Sequence, residues 1–304
     1  MNREIIPFTT KEAWLKERAK DITSTEIAAL FGCHPWLTDF ELFHRKKGTM
    51  DVEFEESEAM EIGSEFEAPI AKYISKKEGY KIKPKKHYIR LSGLGIGSSF
   101  DYEITHPFKA IFEIKNVGEM AFAKSWKVQG EDIQAPVYME FQFQHELLVS
   151  GAEQLIVGAM IGGNRRKVLK RLPDPDVHKA ILEKCASFKL ALKNNEEPKP
   201  DFNRDAEFIA KLFNKAGGEP IQADAEITVS AMLYAGFKKQ EKEAKDSAER
   251  QKAQILMKVG TASKVVGENF SISLSETKGS TYTVTRKPGR SFRIFYQGEE
   301  DNDE

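Results

Sequence analysis

Residues 98–115, Ser-Ser-Phe-Asp-Tyr-Glu-Ile-Thr-His-Pro-Phe-Lys-Ala-Ile-Phe-Glu-Ile-Lys, decide the fold. In the second half of this stretch apolar and charged residues alternate. A strand of period two therefore sets Phe112 and Ile114 on one face and Glu113 and Lys115 on the other. Asp101 closes a preceding apolar, glycine-rich segment, and the break at His106-Pro107 lets the chain turn back beside it. Asp101, Glu113 and Lys115 are thus expected at one edge of a sheet. Two carboxylates that close repel each other unless a cation neutralises them, and hard oxygen ligands suit Mg²⁺ or Mn²⁺. A lysine beside them can orient or deprotonate a water, and the set is then equipped for phosphodiester hydrolysis. The same residues also describe a salt-bridged hairpin on a solvated face, because D-x(n)-E-x-K is a short and common pattern.

Working outward, residues 10–18 have helical spacing through Trp14, and Thr23 or Ser24 is placed to cap a helix over residues 25–31. Hydroxyls and free N–H groups at such a start, with Arg18 nearby, make a seat for a phosphate, plain helix capping being the alternative. A long helix is expected over residues 59–77, with Ile62, Phe66, Ile70 and Tyr73/Ile74 as its buried stripe. On it Glu67 leans toward small and apolar neighbours, and a buried carboxylate must be paired, protonated or metal-bound. Residues 81–91 read as one strand. The glycines of residues 92–97 do not make a dinucleotide loop, since the G-x-G-x-x-G pattern needs glycine where Ser98 stands.

Residues 137–150 form a further expected helix, on which Tyr138, Gln142 and His145 share a polar-tipped face, with Gln142 and Glu146 four apart. A glutamine cannot act as a base but can fix a water, while a merely surface glutamine is the alternative. The apolar run of residues 155–161 reads as a strand covered on both faces, paired with residues 168–172 across Gly162-Gly-Asn164. The fold class is therefore α/β, a central mixed sheet flanked by helices. Residues 194–201, rich in Asn, Glu and Pro, read as a linker, giving a core of residues 1–200 and an appendage of residues 201–304. In the appendage residues 226–258 form a helix that is polar nearly all round in its middle. Alternating residues 270–275, 281–285 and 291–295, with Arg286, Lys287, Arg290 and Arg293, suggest a β-ribbon.

With 40% apolar and 31% charged residues the chain reads as an ordinary soluble protein, with no apolar run of membrane-crossing length and no signal-peptide core, hence expected in the cytoplasm. Cys33 and Cys185 are too few for a disulfide framework or a four-cysteine cluster. A net charge of −1 is unusual for a nucleic-acid binder, yet basic residues cluster in residues 72–90, 164–171 and 286–290, and residues 299–304 form an acidic tail.

Five motifs in order add a resemblance. Arg18 with Ile22-Thr-Ser-Thr-Glu26, Gly63-Ser-Glu-Phe-Glu67, Ser99-Phe-Asp101, Glu113-Ile-Lys115 and residues 136–145 (Pro-Val-Tyr-Met-Glu-Phe-Gln-Phe-Gln-His) resemble the YqaJ-type viral recombinase nucleases, the phage lambda exonuclease family of the PD-(D/E)xK nuclease superfamily. The resemblance spans residues 10–200 and departs at Phe100, where the family usually carries proline. It implies that Glu67, Asp101 and Glu113 hold one or two Mg²⁺ ions, with Mn²⁺ as a substitute. It makes Lys115 the catalytic lysine and Gln142 the residue that positions the water or the scissile phosphate. Arg18 and Thr25, with Ser24 beside them, take the places that grip a 5′-terminal phosphate. The implied function is a 5′ to 3′ exonuclease that resects double-stranded DNA ends in phage-type homologous recombination. It would leave 3′ overhangs for a single-strand annealing protein and work as a ring-shaped trimer. An endonuclease on the same scaffold and a catalytically silent DNA-binding subunit are the alternatives.

Overall fold

A computed structural model of the chain describes residues 2–49, 57–130, 132–215, 217–281, 283–284 and 290–294. The chain divides into two compact units, Met1–Leu212 and Phe213–Glu304. The first begins with β1 (Arg3–Pro7), α1 (Lys11–Ala19), β2 (Ile22–Thr23), a 3-10 helix (Ile27–Phe31), α2 (Asp39–Lys47) and α3 (Glu58–Glu78). Five strands follow: β3 (Lys81–Pro84), β4 (His87–Leu91), β5 (Ile96–Ser99), β6 (Tyr102–His106) and β7 (Ala110–Val117). Next come α4 (Glu119–Ser125), β8 (Lys127–Gln129), β9 (Asp132–Gln134) and α5 (Val137–Ser150). The unit closes with β10 (Leu155–Ile161), β11 (Arg165–Arg171), α6 (Pro175–Asn194) and α7 (Ala206–Leu212).

The hairpin at residues 98–115 forms as expected. β6 pairs antiparallel with β7, Tyr102 opposite Phe112, and the His106–Pro107 peptide in the loop between them is cis. β10 runs parallel to β7 and antiparallel to β11, completing a mixed sheet of order β11-β10-β7-β6-β3. Parallel neighbours cannot be joined by a tight turn, and the intervening chain, ending in α5, supplies the crossover. The alternation in β7 sorts its two faces. Phe112 and Ile114 pack with Ile70, Ala71 and Ile74 of α3, whereas Ile111 and Val117 join Phe143 and Leu147 of α5 in the larger core. The sheet is thus covered by α3 on one side and α5 on the other. Gly158 of β10 leaves room for this packing: a Cβ there would lie 2.8 Å from the Phe112 ring and 3.1 Å from Ile74.

A second, four-stranded sheet, β1-β4-β5-β2, stands beside the first and was not foreseen from the sequence. The single strand expected over residues 81–91 is two strands in different sheets. Pro84 offers no N–H, and the next N–H, from Lys85, goes to the Asp101 carbonyl at 3.1 Å, so the ladder breaks there. The helix expected over residues 25–31 begins only at Ile27 as a five-residue 3-10 turn, with no side chain capping it. Instead Glu26 reaches back to accept from the N–H and hydroxyl of Thr23, at 2.9 and 3.0 Å. The buried stripe of α3 is also shorter than expected. Ile70 and Ile74 are buried, but Ile62 and Phe66 are exposed, because the sheet meets only the C-terminal half of that helix, and Tyr73, within that half, is exposed because it lies off the face that Ile70 and Ile74 turn to the sheet.

Residues after the expected linker remain tied to the first unit. Thr38 donates to Asp205 at 2.5 Å, and Phe208 of α7 packs edge-on against Phe40. The second unit carries α8 (Ala225–Val259), β12 (Lys264–Val266) and β13 (Ser271–Ser273). α8 has no buried residue, in keeping with its polar middle, and β12 pairs antiparallel with β13. The expected strands at residues 281–285 and 291–295, with Arg286, Lys287 and the acidic tail at residues 299–304, lie wholly or partly outside the described residues. Among the described residues no helix is long and apolar enough to cross a membrane.

Phe112 is fully buried between α3 and Gly158. Phe112→Ala is expected to destabilise the protein by about 3–5 kcal/mol, read as a lower denaturant midpoint at unchanged slope. A loss below about 1 kcal/mol would show that α3 holds the sheet without this ring.

Candidate active site

Glu67 on α3, Asp101 in the bend between β5 and β6, Glu113 and Lys115 on β7, and Gln142 on α5 come together at one end of the mixed sheet. Their hydrogen bonds define the centre. Lys115 Nζ donates to Glu113 Oε1 at 2.8 Å and to Gln142 Oε1 at 3.3 Å. The Gln142 amide donates to Glu113 Oε1 at 3.0 Å and to Glu146 Oε1 at 2.8 Å. Asp101 Oδ2 accepts from the Ile114 N–H at 2.8 Å, which fastens the bend to the strand carrying the other groups. Glu67 joins by charge: its carboxyl feels Glu113 and Lys115.

Electrostatics set the character of the site. Loss of water, then repulsion from Glu113 and Glu67, pushes the Asp101 carboxyl well above the ordinary carboxylate range. Glu67 is raised by burial and by Glu113, and Glu146 is raised well above normal by burial and by Glu113. Burial alone would lower the Lys115 ammonium, but Glu113, Glu146 and Asp101 outweigh it and the pKa lies above the ordinary lysine value. Lys115 is therefore a firmly protonated donor. Among the described residues no three His, Cys, Asp or Glu side chains already form a group arranged to hold a metal ion. Asp101 is engaged by the Ile114 N–H, and Glu113 by Lys115 and Gln142.

Glu146 is the member that sequence reasoning did not assign. It is buried on α5, one turn beyond Gln142, whose amide it accepts from through Oε1, while its Oε2 is buried without a hydrogen-bond partner among the described residues. Its spacing of four from Gln142, in a segment otherwise turning apolar at Leu147, Leu148 and Val149, was the available signal. His145, expected on the polar-tipped face, instead points away. It is fully buried near the Ile22 backbone, and its pKa is pushed down to about 3 by burial, so the ring is neutral.

Arg18 and Thr25 meet as expected, Nη2 donating to Oγ1 at 2.9 Å, with the guanidinium stacked 4.5 Å from the Trp14 ring centre. Thr25 is exposed. Ser24 departs from the expected grip: it is buried and accepts from Ser98 of β5 at 3.0 Å. Of the basic runs, that on β11 is largely neutralised internally, Arg165, Arg166 and Arg171 pairing with Glu119, Glu78 and Glu140.

The chain is similar to several known proteins. Residues 13–153 match the YqaJ-like viral recombinase domain, the family that the five motifs resemble. The uncharacterized protein YqaJ of Bacillus subtilis (strain 168) is 33% identical over 159 residues, 51% of this chain and 48% of that protein, so the match spans about half of its length. Among solved structures, the alkaline exonuclease LHK-Exo from Laribacter hongkongensis superposes with a TM-score of 0.48 at 16% identity, covering 66% of this chain and 100% of that one. A putative exonuclease from Eubacterium rectale gives 0.41 at 12%, covering 71% and 96%.

The raised Glu146 carboxyl has a consequence for stability. A carboxyl with a higher pKa folded than unfolded contributes most below its ordinary value of 4.5, and stability falls as pH climbs from there toward the native value. Without divalent ions at pH 8, Glu146→Gln is therefore expected to melt about 2–4 °C above wild type, the shift of ~1 kcal/mol in a domain of this size. At pH 4 the two should melt together. A variant that melts lower at pH 8 would mean that the charged carboxylate itself supports the fold.

Proposed function

We propose that this chain is a metal-dependent deoxyribonuclease acting 5′ to 3′ from double-stranded DNA ends. The observation that supports this most is the shared centre of Lys115, Gln142 and the carboxyls of Glu67, Asp101 and Glu113, drawn from α3, the β5–β6 bend, β7 and α5. One ammonium stands there with Asp101 and Glu67, whose carboxyls burial, and then repulsion from Glu113, make harder to ionise. That excess of buried oxygen ligands is what a hard divalent cation relieves, so the donor set fits Mg²⁺ or Mn²⁺, held by Glu67, Asp101 and Glu113. Such an ion supplies a nucleophilic water at neutral pH and stabilises charge on the departing phosphate.

The chain's own groups take complementary parts. Lys115, protonated and directed by Glu113, donates toward phosphate or water oxygen. Gln142 presents its carbonyl to Lys115 and its amide to Glu113, so it fixes the lysine's position and can hold a water but cannot remove its proton. Arg18 and Thr25 offer a guanidinium and an exposed hydroxyl, a combination suited to a terminal phosphate and hence to a 5′ start. By resemblance to its family, the protein would resect ends for a single-strand annealing protein, as a ring-shaped trimer that retains DNA despite a net charge of −1.

On end-labelled linear duplex with Mg²⁺, the wild type is expected to release nucleotides from 5′-phosphorylated ends and EDTA to stop it. Lys115→Ala should lower turnover by about 10²–10⁴ while still binding DNA. Arg18→Ala should erase the preference for 5′-phosphate over 5′-hydroxyl ends and leave residual cleavage. Equal wild-type rates on the two ends would overturn the 5′ assignment. Cutting of a covalently closed circle would show an endonuclease, and wild-type inactivity on every substrate a binding subunit.

A further inference from the structure

Beside the candidate centre lies an aromatic surface that the proposed reaction does not use. Trp36 is 75% exposed. Its ring meets Tyr138 edge-on at 5.8 Å and His34 at 5.9 Å, and His34 and Tyr138 are 6.1 Å apart, closing a triangle of three rings. Tyr138 belongs to the face of α5 that carries Gln142, one turn earlier, and is close enough to Lys115 to feel its charge. The cluster therefore borders the site itself.

Single exposed apolar side chains are ordinary. Three features distinguish Trp36. Its loop is held from both sides: Arg204 donates to the carbonyls of His34 and Leu37, and the N–H groups of Cys33 and His34 donate to the Ala28 carbonyl at 3.1 and 3.2 Å. The Trp36 backbone N–H donates to His34 Nδ1 at 3.2 Å, which holds the imidazole against the turn that carries the indole. The neighbouring Thr38–Asp205 hydrogen bond is buried, so the whole turn is stapled by residues from beyond the recombinase-domain match. A loop this constrained that leaves its largest apolar ring in water is preorganised to receive something flat.

We propose that Trp36, with Tyr138 and His34, forms a stacking platform for the base of the nucleotide that enters the centre from an opened DNA end. This rests on the nuclease reading and adds to it a base-binding subsite. A terminal nucleotide whose 3′ phosphodiester reaches Lys115 must leave its duplex neighbours and lose their stacking. An aromatic face one helical turn, about 5.4 Å, from Gln142 replaces that stacking. Because every base has a π-face, such a platform holds the strand without reading its sequence, as an end-resecting enzyme requires.

The test uses the full chain in EDTA and two 5′-phosphorylated duplexes, one with a normal terminal nucleotide and one whose terminal nucleotide is abasic. Trp36→Ala is expected to bind the normal duplex roughly tenfold more weakly, the loss of one base–aromatic stack, and the abasic duplex as wild type does. Trp36→Phe should keep most of the affinity, and Tyr138→Ala should lose part of it on the normal duplex alone. Of the three tryptophans Trp36 is the exposed one, so wild-type fluorescence should be quenched by the normal end and not by the abasic end, with the quench absent in Trp36→Phe. Equal losses on both duplexes, or no loss, would overturn the platform while leaving the nuclease reading intact. A Trp36→Ala change in oligomeric state without a change in end binding would assign this face to a second copy of the chain instead. Wild-type protein that neither binds nor cuts duplex ends would sink the nuclease reading and the platform with it.

Discussion

The structure depends on one imbalance, a single ammonium, Lys115, enclosed with the carboxyls of Glu113, Asp101, Glu67 and Glu146. Burying like charges together is unfavourable, and a protein that does so must compensate through hydrogen bonds, protonation or a bound cation. Two devices are visible. The Ile114 N–H binds Asp101, and the Gln142 amide lies between Glu113 and Glu146, its two N–H bonds separating two acids while its carbonyl meets the lysine. Gln142 is thereby held in one orientation by three partners, and the centre is ordered before any substrate arrives.

That centre explains the layering around it. β7 carries Glu113 and Lys115 between Ile111 and Val117 on the face toward α5, and Phe112 and Ile114 on the face toward α3, so the strand joins a dry core to a polar site within one residue's rise. α3 is buried only where it meets Phe112 and Ile114, and its other half, with Glu67 near the transition, is free of the core. At the far end of α5, Arg3 donates to the carbonyls of Leu148 and Val149, anchoring the helix that carries Gln142 to the second sheet. The same helix presents Tyr138 beside Trp36, so one element positions Gln142, the buried Glu146 and the aromatic surface.

The sequence made some of this legible and hid the rest for physical reasons. Alternation in β7, the apolar run of β10 and the helical spacing over residues 59–77 and 137–150 are local signals, and the elements they indicate form where expected. The four-stranded sheet was hidden because β1 and β2 are short and pair with β4 and β5 from far along the chain. The split of residues 81–91 turns on a bond from Lys85 to a carbonyl sixteen residues later, which no window of periodicity contains. Among site residues, Asp101, Glu113 and Lys115 share a hairpin and were readable from it, whereas Glu67 and Gln142 needed the motif order to be picked out. Glu146 and Ser24 show the limit: one is a carboxyl on a helix with few polar signals, the other a serine whose partner, Ser98, comes from β5 far along the chain.

The parallel pairing of β7 with β10 also orders events in time. During synthesis Asp101, Glu113 and Lys115 leave the ribosome first, but Gln142 and Glu146 can join them only after α5 has crossed over and β10 has docked beside β7. Contacts of such long sequence separation form late. A partly folded chain therefore carries the candidate groups without the centre that brings them together.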